Sequence, residues 1–211
     1  DPTGVMRALL VSARGGDRQG ASTIAQQLVK NILIQQALEI QKSTAAATAA
    51  AQKKAIQEAQ AITLDRKLKE MKLAISLEKK YTKKQVLLAY LNIAPFGGTT
   101  YGIEAAAQRY YGIDASKLSI VQAATLIAIV QEPTARAPIN ASGYVQNKKR
   151  RDVILEAMYA QSDITKAQEQ AGINTVESAD TISNTPPKNG CIAANTYAKW
   201  GIDYLKYDLC S

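Results

Sequence analysis

The stretch QGASTIAQQLVKN, residues 19–31, opens a helix and carries more polar side chains than a helix start requires. Thr23 and Gln26 fit a capping box, in which the threonine hydroxyl and the glutamine amide satisfy two backbone N–H groups. Apolar residues at helical spacing are expected to form the buried stripe of this helix, namely Ile24, Leu28 and Ile32. Three polar residues belong to neither the cap nor the stripe and need another explanation: Gln27, Lys30 and Asn31.

The composition favours helices throughout the chain. The 211 residues are 46% hydrophobic but only 6% aromatic, and ten of them are tyrosine. Alanine, glutamine and lysine supply much of the remainder, and all three are good helix formers. Runs of alternating β-branched residues, which would indicate strands, are few. The sequence therefore predicts an all-α fold with a sizeable core.

The charge balance indicates an anionic partner. Lysine and arginine number 26 against 18 acidic residues, which gives a net charge of +8. An acidic membrane surface and a phosphorylated substrate both fit this charge. Nucleic acid is disfavoured, because the charge is spread along the chain and few aromatic residues are interleaved with it. The chain has no histidine, so acid–base catalysis would fall to carboxylates.

Helix signals divide the chain into a series of short elements. Besides the opening helix, which should run from about residue 22 into the forties, helices are expected at 3–14, 64–80, 83–94, 102–112, 119–131, 144–161 and 165–171. The helix 119–131 is apolar all round and is predicted to be the core helix. The helix 144–161 would bury one face, formed by Val153, Ile154, Ala157 and Met158. The Ala/Gln-rich segment 43–61 has no clean apolar stripe, so it is either an exposed helix or a mobile excursion.

Both ends of the chain look cut, as in a piece of a longer protein. No apolar run is long enough to span a bilayer, and no signal peptide is visible. The first residue is Asp1 rather than methionine. Cys191 and Cys210 lie close together near the other end, where they form either a small disulfide loop, which we favour, or two free thiols.

One helical turn gathers cations around a carboxylate. Within RKLKE, residues 66–70, Arg66 and Glu70 lie one turn apart. They point away from an apolar stripe formed by Leu64, Leu68, Met71 and Ile75. An ordinary surface ion pair is one interpretation of this turn. Three further cations favour instead an anion site around the carboxylate: Lys30, Lys67 and Lys69.

Four motifs in unbroken order resemble those of the family 51 glycosyltransferases. They are GASTIAQQLVKN (20–31), RKLKE (66–70), KKQVLLAYLN with PFG and YGIEAAAQRYYG (83–112), and RRDVILEAM (150–158). Members of this family are the peptidoglycan polymerase domains of class A, bifunctional penicillin-binding proteins and of their monofunctional relatives. The resemblance covers about residues 1–160, and four motifs in sequence are far more specific than any one of them.

This resemblance implies an all-α, lysozyme-like fold and an activity at the extracytoplasmic face of the cell membrane. The family polymerises lipid II, a disaccharide-pentapeptide on undecaprenyl pyrophosphate, into glycan strands. A glutamate in the first motif deprotonates the acceptor 4-hydroxyl, whose oxygen attacks and inverts the anomeric carbon while the lipid pyrophosphate leaves. No cofactor is required, and a divalent metal such as Mg²⁺ near Glu70 is left open.

The resemblance also implies roles for individual residues. Glu70 corresponds to the second functional glutamate, which lies near the donor phosphate. Lys30 and Lys69 correspond to lysines that bind the donor pyrophosphate, with Arg66 and Lys67 beside them. The donor cleft would be lined by five polar residues, namely Ser22, Thr23, Gln26, Gln27 and Asn31.

Departures from the family pattern limit these expectations. The opening DPTGVMRAL, residues 1–9, resembles the end of the first motif. Its catalytic glutamate would then precede Asp1, and this chain alone is expected to be inactive. Leu88 stands where the family usually carries a glutamate. The insert 43–61 lengthens the spacing between motifs, and the chain looks similar to the actinobacterial branch of class A penicillin-binding proteins.

The expected organisation is a glycosyltransferase domain over 1–172, with the insert 43–61, followed by a linker 173–211 towards a transpeptidase domain. No SxxK, SxN or KTG transpeptidase motif occurs in these residues. Expected partners are lipid II, the growing glycan strand, the membrane surface, and proteins of cell-wall synthesis, division or elongation. Two alternatives remain open: a non-catalytic fragment that binds lipid-linked glycan or partner proteins, and a lysozyme-like hydrolase.

Overall fold

The computed structural model describes residues 22–61, 63–178 and 181–183. Within these ranges the chain forms helices and no strand, and the prediction of an all-α fold is confirmed. The α-helices are α1 Ile24–Leu38, α2 Ala45–Gln60, α3 Leu64–Lys80, α4 Lys83–Ile93, α5 Ile103–Tyr111, α6 Ile120–Val130, α7 Pro133–Arg136, α8 Ala141–Ala160 and α9 Lys166–Asn174. A short 3₁₀ helix, Ala115–Lys117, precedes α6. Predictions for residues 3–14 and for Cys191 and Cys210 lie outside the described residues.

The chain divides into two compact units, Asp1–Tyr90 and Leu91–Ser211. In the first unit, α1 packs against both α2 and α3. Helix α1 begins after Thr23, whose hydroxyl accepts the backbone N–H of Gln26 at 3.2 Å. Leu28 is buried as predicted, but Ile24 is 44% exposed and Val29 is buried instead. The predicted stripe was therefore wrong at Ile24, because two helices pack on α1 and together decide which of its apolar residues are covered.

The insert 43–61 forms a largely exposed helix, which is the first of the two structures that the sequence left open for this segment. Helix α2 begins after Thr44, whose hydroxyl accepts the backbone N–H of Ala47. The residues of α2 that are partly or fully buried are mostly small and recur at helical spacing, and they include Ala51, Ala55 and Ala59. The side-chain amide of Gln52 donates to the carbonyl oxygens of Leu38 at 2.6 Å and Ile40 at 3.2 Å. These contacts satisfy carbonyls at the end of α1, which stops short of the predicted forties.

Helix α3 has the predicted bounds, but its buried face is polar in part. Thr63 caps it by accepting the backbone N–H of Arg66. Glu70 and Ala74 are buried on this helix. The predicted apolar stripe lies on another side and is largely exposed at Leu64, Leu68 and Ile75. The surface that α3 turns away from solvent therefore contains the carboxylate that the sequence singled out.

The second unit is built on the predicted core helix. In α6, Leu126, Ala128 and Ile129 have no exposed surface, and the helix packs against α8. Ala124 of α6, Leu155 of α8 and Ile164 form a buried cluster, and the partly buried side chains that pack against it include Ile154 and Met158. Val153 is 49% exposed and Ala157 is also exposed, so their predicted places on the buried face were wrong. The buried face of α8 is instead formed by Gly143, Asn147, Arg151 and Leu155.

A buried ion-pair network fixes residues 175–178 in the second unit. The Arg151 side chain is almost fully buried and donates to the Thr175 carbonyl oxygen at 2.7 Å and to Asp152 Oδ1 at 3.2 Å. Its Nη1 lies 3.9 Å from Glu177 Oε2. The Glu177 carboxylate also accepts the Tyr111 hydroxyl at 2.6 Å. These contacts of Arg151 tie the segment to α8, and the boundary between domain and linker at 172/173 stays a prediction.

Candidate functional site

The centre of the candidate site is a buried carboxylate with two cationic partners. Glu70 on α3 is only 3% exposed. Its Oε1 accepts the Lys67 ammonium at 2.7 Å, and its Oε2 accepts Arg66 Nη1. Arg66 is held further by a hydrogen bond from its Nε to the Ala61 carbonyl oxygen. Because a buried carboxylate is costly without such partners, Glu70 fixes the positions of both cations.

Lys67 connects this turn of α3 to the start of α1. Its ammonium lies 2.5 Å from Ser22 Oγ and 3.1 Å from Gln26 Oε1, in addition to its contact with Glu70. An ammonium has three protons to donate, so these three partners can use all of them. The Gln26 side chain thus bonds Lys67 instead of completing the predicted capping box. That prediction was right for the Thr23 hydroxyl and wrong for the Gln26 amide.

Gln27 is held by a residue for which the sequence predicted no role in the site. The hydroxyl of Tyr90, on α4, donates to Gln27 Oε1 at 2.9 Å. The other end of the amide, Nε2, donates to the Ser22 carbonyl oxygen at 3.3 Å. Burial raises the pKa of Tyr90 to about 12. The phenol is consequently protonated, and able to donate, at any physiological pH.

Lys30 lies on the same side of α1 as the two glutamines. It follows Gln26 by four residues and Gln27 by three, so the three side chains share one helical face. Lys30 is half-buried. Asn31 follows Gln27 by four residues and is also half-buried. Unlike Lys67, Lys30 has no bonded partner among the described residues, which leaves its ammonium free to meet an anion.

The structure thus brings together most of the predicted site residues of the first unit. One bonded network contains Ser22, Gln26, Gln27, Arg66, Lys67 and Glu70. Thr23 caps α1, so its hydroxyl already accepts a backbone hydrogen bond. Lys69 is exposed and lies about 100° around the helix from Glu70. The structure therefore places Lys67, rather than Lys69, against the buried carboxylate.

The arrangement is suited to binding an anion. Two cations surround one carboxylate, which leaves a net positive charge, and Lys30 adds another on the adjacent helix. Both oxygens of Glu70 are occupied by cations, so this carboxylate is poorly placed to remove a proton from a substrate. Within the described residues no cluster of three or more acidic, histidine or cysteine side chains could hold a metal ion.

Comparison with known proteins identifies the family of this chain. Residues 1–159 match the transglycosylase family. The chain is 36% identical to penicillin-binding protein 2a of Streptococcus pneumoniae over 162 residues, which are 77% of this chain and 18% of that relative. It is 36% identical to penicillin-binding protein 1A/1B of Bacillus subtilis over 170 residues, or 80% of this chain and 16% of that relative.

A longer match extends to penicillin-binding protein 1A of Streptococcus oralis, which is 33% identical over 207 residues. That alignment covers 98% of this chain but 28% of the relative. The chain therefore spans less than a third of the length of each of these relatives. Since the family match covers most of the chain and includes every residue of the bonded network, the chain belongs to the transglycosylase family.

Proposed function

We propose that this chain is part of a peptidoglycan glycosyltransferase that polymerises lipid II into glycan strands and releases undecaprenyl pyrophosphate. The observation that carries the proposal is the network in which Glu70 holds Arg66 and Lys67 beside α1, with Lys30 on the adjacent face. The match to transglycosylases and the resemblance to penicillin-binding proteins support the same reaction.

The chemistry of the leaving group explains why cations are needed. Negative charge grows on the pyrophosphate as its bond to the anomeric carbon breaks. Cations fixed beside that group bind the transition state better than the ground state, which is the condition for catalysis. One lysine about 4 Å from a phosphate oxygen gains roughly 4 kcal/mol at an effective dielectric of 20. Among the cationic side chains that the structure describes, Lys30 is the one best placed to make such a contact directly.

Glu70 acts in this proposal by holding cations in place. Because Arg66 and Lys67 occupy both of its oxygens, deprotonation of the acceptor hydroxyl falls to another group. The family resemblance assigns that step to a glutamate of the first motif. We propose that Glu70 binds no resident metal and that Arg66, Lys67 and Lys30 themselves supply the positive charge at the pyrophosphate.

The setting of the reaction follows from the substrate. None of the helices in the described part of the chain has both the length and the apolar character that crossing a bilayer requires. A lipid-linked donor nevertheless has to be reached at a membrane surface, which a net charge of +8 would favour when the lipids are anionic. We propose that the parent protein works at the extracytoplasmic face of the cell membrane, with lipid II, the glycan strand and other cell-wall synthesis proteins as partners.

The test uses the full-length parent protein and purified lipid II. Lys30→Ala is compared with Lys72→Ala, an exposed lysine on α3 opposite its buried face. Glycan polymer and undecaprenyl pyrophosphate are measured separately. We expect Lys30→Ala to reduce both products at least ten-fold, and Lys72→Ala to leave both unchanged.

The same assay separates the alternatives. A lysozyme-like hydrolase would shorten preformed glycan without releasing undecaprenyl pyrophosphate from lipid II. A non-catalytic domain would bind lipid II and produce neither signal. Either result with the wild-type parent protein would refute the proposed function, whereas equal activity of the two lysine variants would refute the assignment of Lys30.

A further inference from the structure

A buried hydrogen-bond chain connects α4 to the candidate site. Tyr90 is 8% exposed, and its hydroxyl bonds the Gln27 side chain. Gln27 in turn bonds the Ser22 backbone, and the Ser22 hydroxyl bonds the Lys67 ammonium. The Tyr90 phenol therefore lies three hydrogen bonds away from a cation that Glu70 holds.

We infer that Tyr90 is a positioning residue of the pyrophosphate site, acting through Gln27 and Ser22 on Lys67. This inference rests on the proposed function and adds a residue to it. Tyr90 does not need to touch the substrate. Its hydroxyl decides where the Gln27 amide points, and that amide decides where Ser22 lies.

The Tyr90 phenol orients the Gln27 amide through the direction of the hydrogen bond between them. Gln27 Oε1 can only accept, so the Tyr90 hydroxyl must donate to it. This fixes the opposite end of the amide, Nε2, towards the Ser22 carbonyl oxygen. Without the phenol, Oε1 would lose its buried donor, and the amide could rotate to other partners.

Ser22 is the part of the chain that needs this support. It precedes Thr23, the residue that caps α1, so it lies before the helical hydrogen bonds begin. Its position thus depends on contacts such as the one from Gln27. Since the hydroxyl of the same residue bonds Lys67 at 2.5 Å, a shift of the Ser22 backbone would displace an acceptor of the Lys67 ammonium.

A tyrosine at this position is not explained by packing alone. Phenylalanine would fill the same space and would avoid burying a hydroxyl, which costs free energy unless it finds a partner. The hydroxyl of Tyr90 has such a partner in a predicted donor-cleft residue, Gln27. The contact joins residues 63 positions apart, so it ties two of the recognised motifs together.

The experiment is a double-mutant cycle in the full-length parent protein with Tyr90→Phe, Gln27→Ala and the double variant. Tyr81→Phe is the matched control, because it removes the hydroxyl of an exposed tyrosine at the end of α3. The measurements are kcat/KM for lipid II polymerisation and the Kd of undecaprenyl pyrophosphate. Circular dichroism verifies that each variant is folded.

We expect Tyr90→Phe to lower kcat/KM about three- to ten-fold and to weaken undecaprenyl pyrophosphate binding, as the loss of one buried hydrogen bond predicts. In the Gln27→Ala background the same change should have no further effect, because the connection is already broken. Tyr81→Phe should match the wild-type protein. A merely structural role would reduce the folded fraction and leave the Kd of the folded protein unchanged.

The inference is overturned if Tyr90→Phe matches the wild type in both measurements while Lys30→Ala is impaired. It is also overturned if Tyr90→Phe has an equal effect with and without Gln27. If the wild-type protein makes no polymer, the proposed function fails. The Kd cycle then still decides whether Tyr90 positions the pyrophosphate site.

Discussion

The Lys67 ammonium lies 2.7 Å from Glu70 Oε1, on the face of α3 that is turned away from solvent. The two residues are three positions apart on one helix, so the contact itself is local. Its consequence is not local, because Lys67 also bonds Ser22 and Gln26 near the start of α1. A carboxylate that cannot reach substrate easily can still control catalysis by fixing the cation beside it.

Replacement of this carboxylate should therefore reduce activity without abolishing the fold. In the full-length protein, Glu70→Gln removes the charge that holds Arg66 and Lys67 but preserves the shape of the side chain. We expect at least a ten-fold fall in lipid II polymerisation, with the helical circular dichroism retained. Glu78→Gln, an exposed change on the same helix, is the control. Wild-type turnover in Glu70→Gln would contradict the role of this carboxylate.

The structure also predicts a larger role for Lys67 than for Lys69, which the family resemblance implied to be the pyrophosphate-binding lysine of the two. Lys67 bonds Glu70, Ser22 and Gln26, whereas Lys69 is exposed. Lys67→Met should reduce polymerisation at least ten-fold, and Lys69→Met should reduce it by less than three-fold. Steady-state rates of the two variants in the full-length protein provide the comparison. A larger loss for Lys69→Met would mean that substrate meets a different face of α3.

The buried network of the second unit should contribute to stability rather than to catalysis. Glu177→Gln weakens the pairing of the Arg151 guanidinium, whose side chain is almost fully buried. We expect the free energy of local unfolding to fall by about 1–3 kcal/mol. Hydrogen exchange of the α8 amides measures this loss, with Glu156→Gln, an exposed change on that helix, as the control. If the α8 amides of Glu177→Gln exchange as slowly as those of the wild type, the Arg151–Glu177 pair contributes nothing to local stability.

Buried tyrosines should make the fold sensitive to alkaline pH. Burial raises the pKa of Tyr90 to about 12 from an ordinary value of 10.0. A folded-state pKa above the unfolded value means that this contribution to stability is complete below pH 10 and is lost as the pH rises towards 12. The melting temperature should thus fall more steeply over this window in the wild-type protein than in Tyr90→Phe. An equally steep fall of the melting temperature in both proteins would contradict the prediction.

Tyr111 should contribute to the same alkaline effect for an additional reason. Burial is the largest cause that raises its pKa, and the adjacent Glu177 carboxylate raises it further by its charge and by accepting the hydroxyl. Tyr111→Phe should therefore also flatten the dependence of melting temperature on alkaline pH. Because Glu177 is part of the cause, Glu177→Gln should lower the pKa of Tyr111, which ultraviolet absorbance can follow.

The sequence by itself determined most of the helices and the contacts within them, although it left segment 43–61 undecided. Helical periodicity gave the bounds of α3 and identified α6 as the core helix, because these features depend on residues three or four positions apart. The Arg66–Glu70 pair was predictable for the same reason. The motif order was sufficient to indicate the family, since it depends only on the identity and spacing of residues along the chain.

Only the tertiary structure decided which faces of those helices meet. The contacts of Gln26 with Lys67 and of Tyr90 with Gln27 join residues 41 and 63 positions apart. No local pattern selects them, and an apolar stripe such as that of α3 can remain exposed while Glu70 is buried. The rotation of each helix is set by the sum of all its packing and polar contacts. That sum is a property of the folded chain, and it is what distinguishes Lys67 from Lys69.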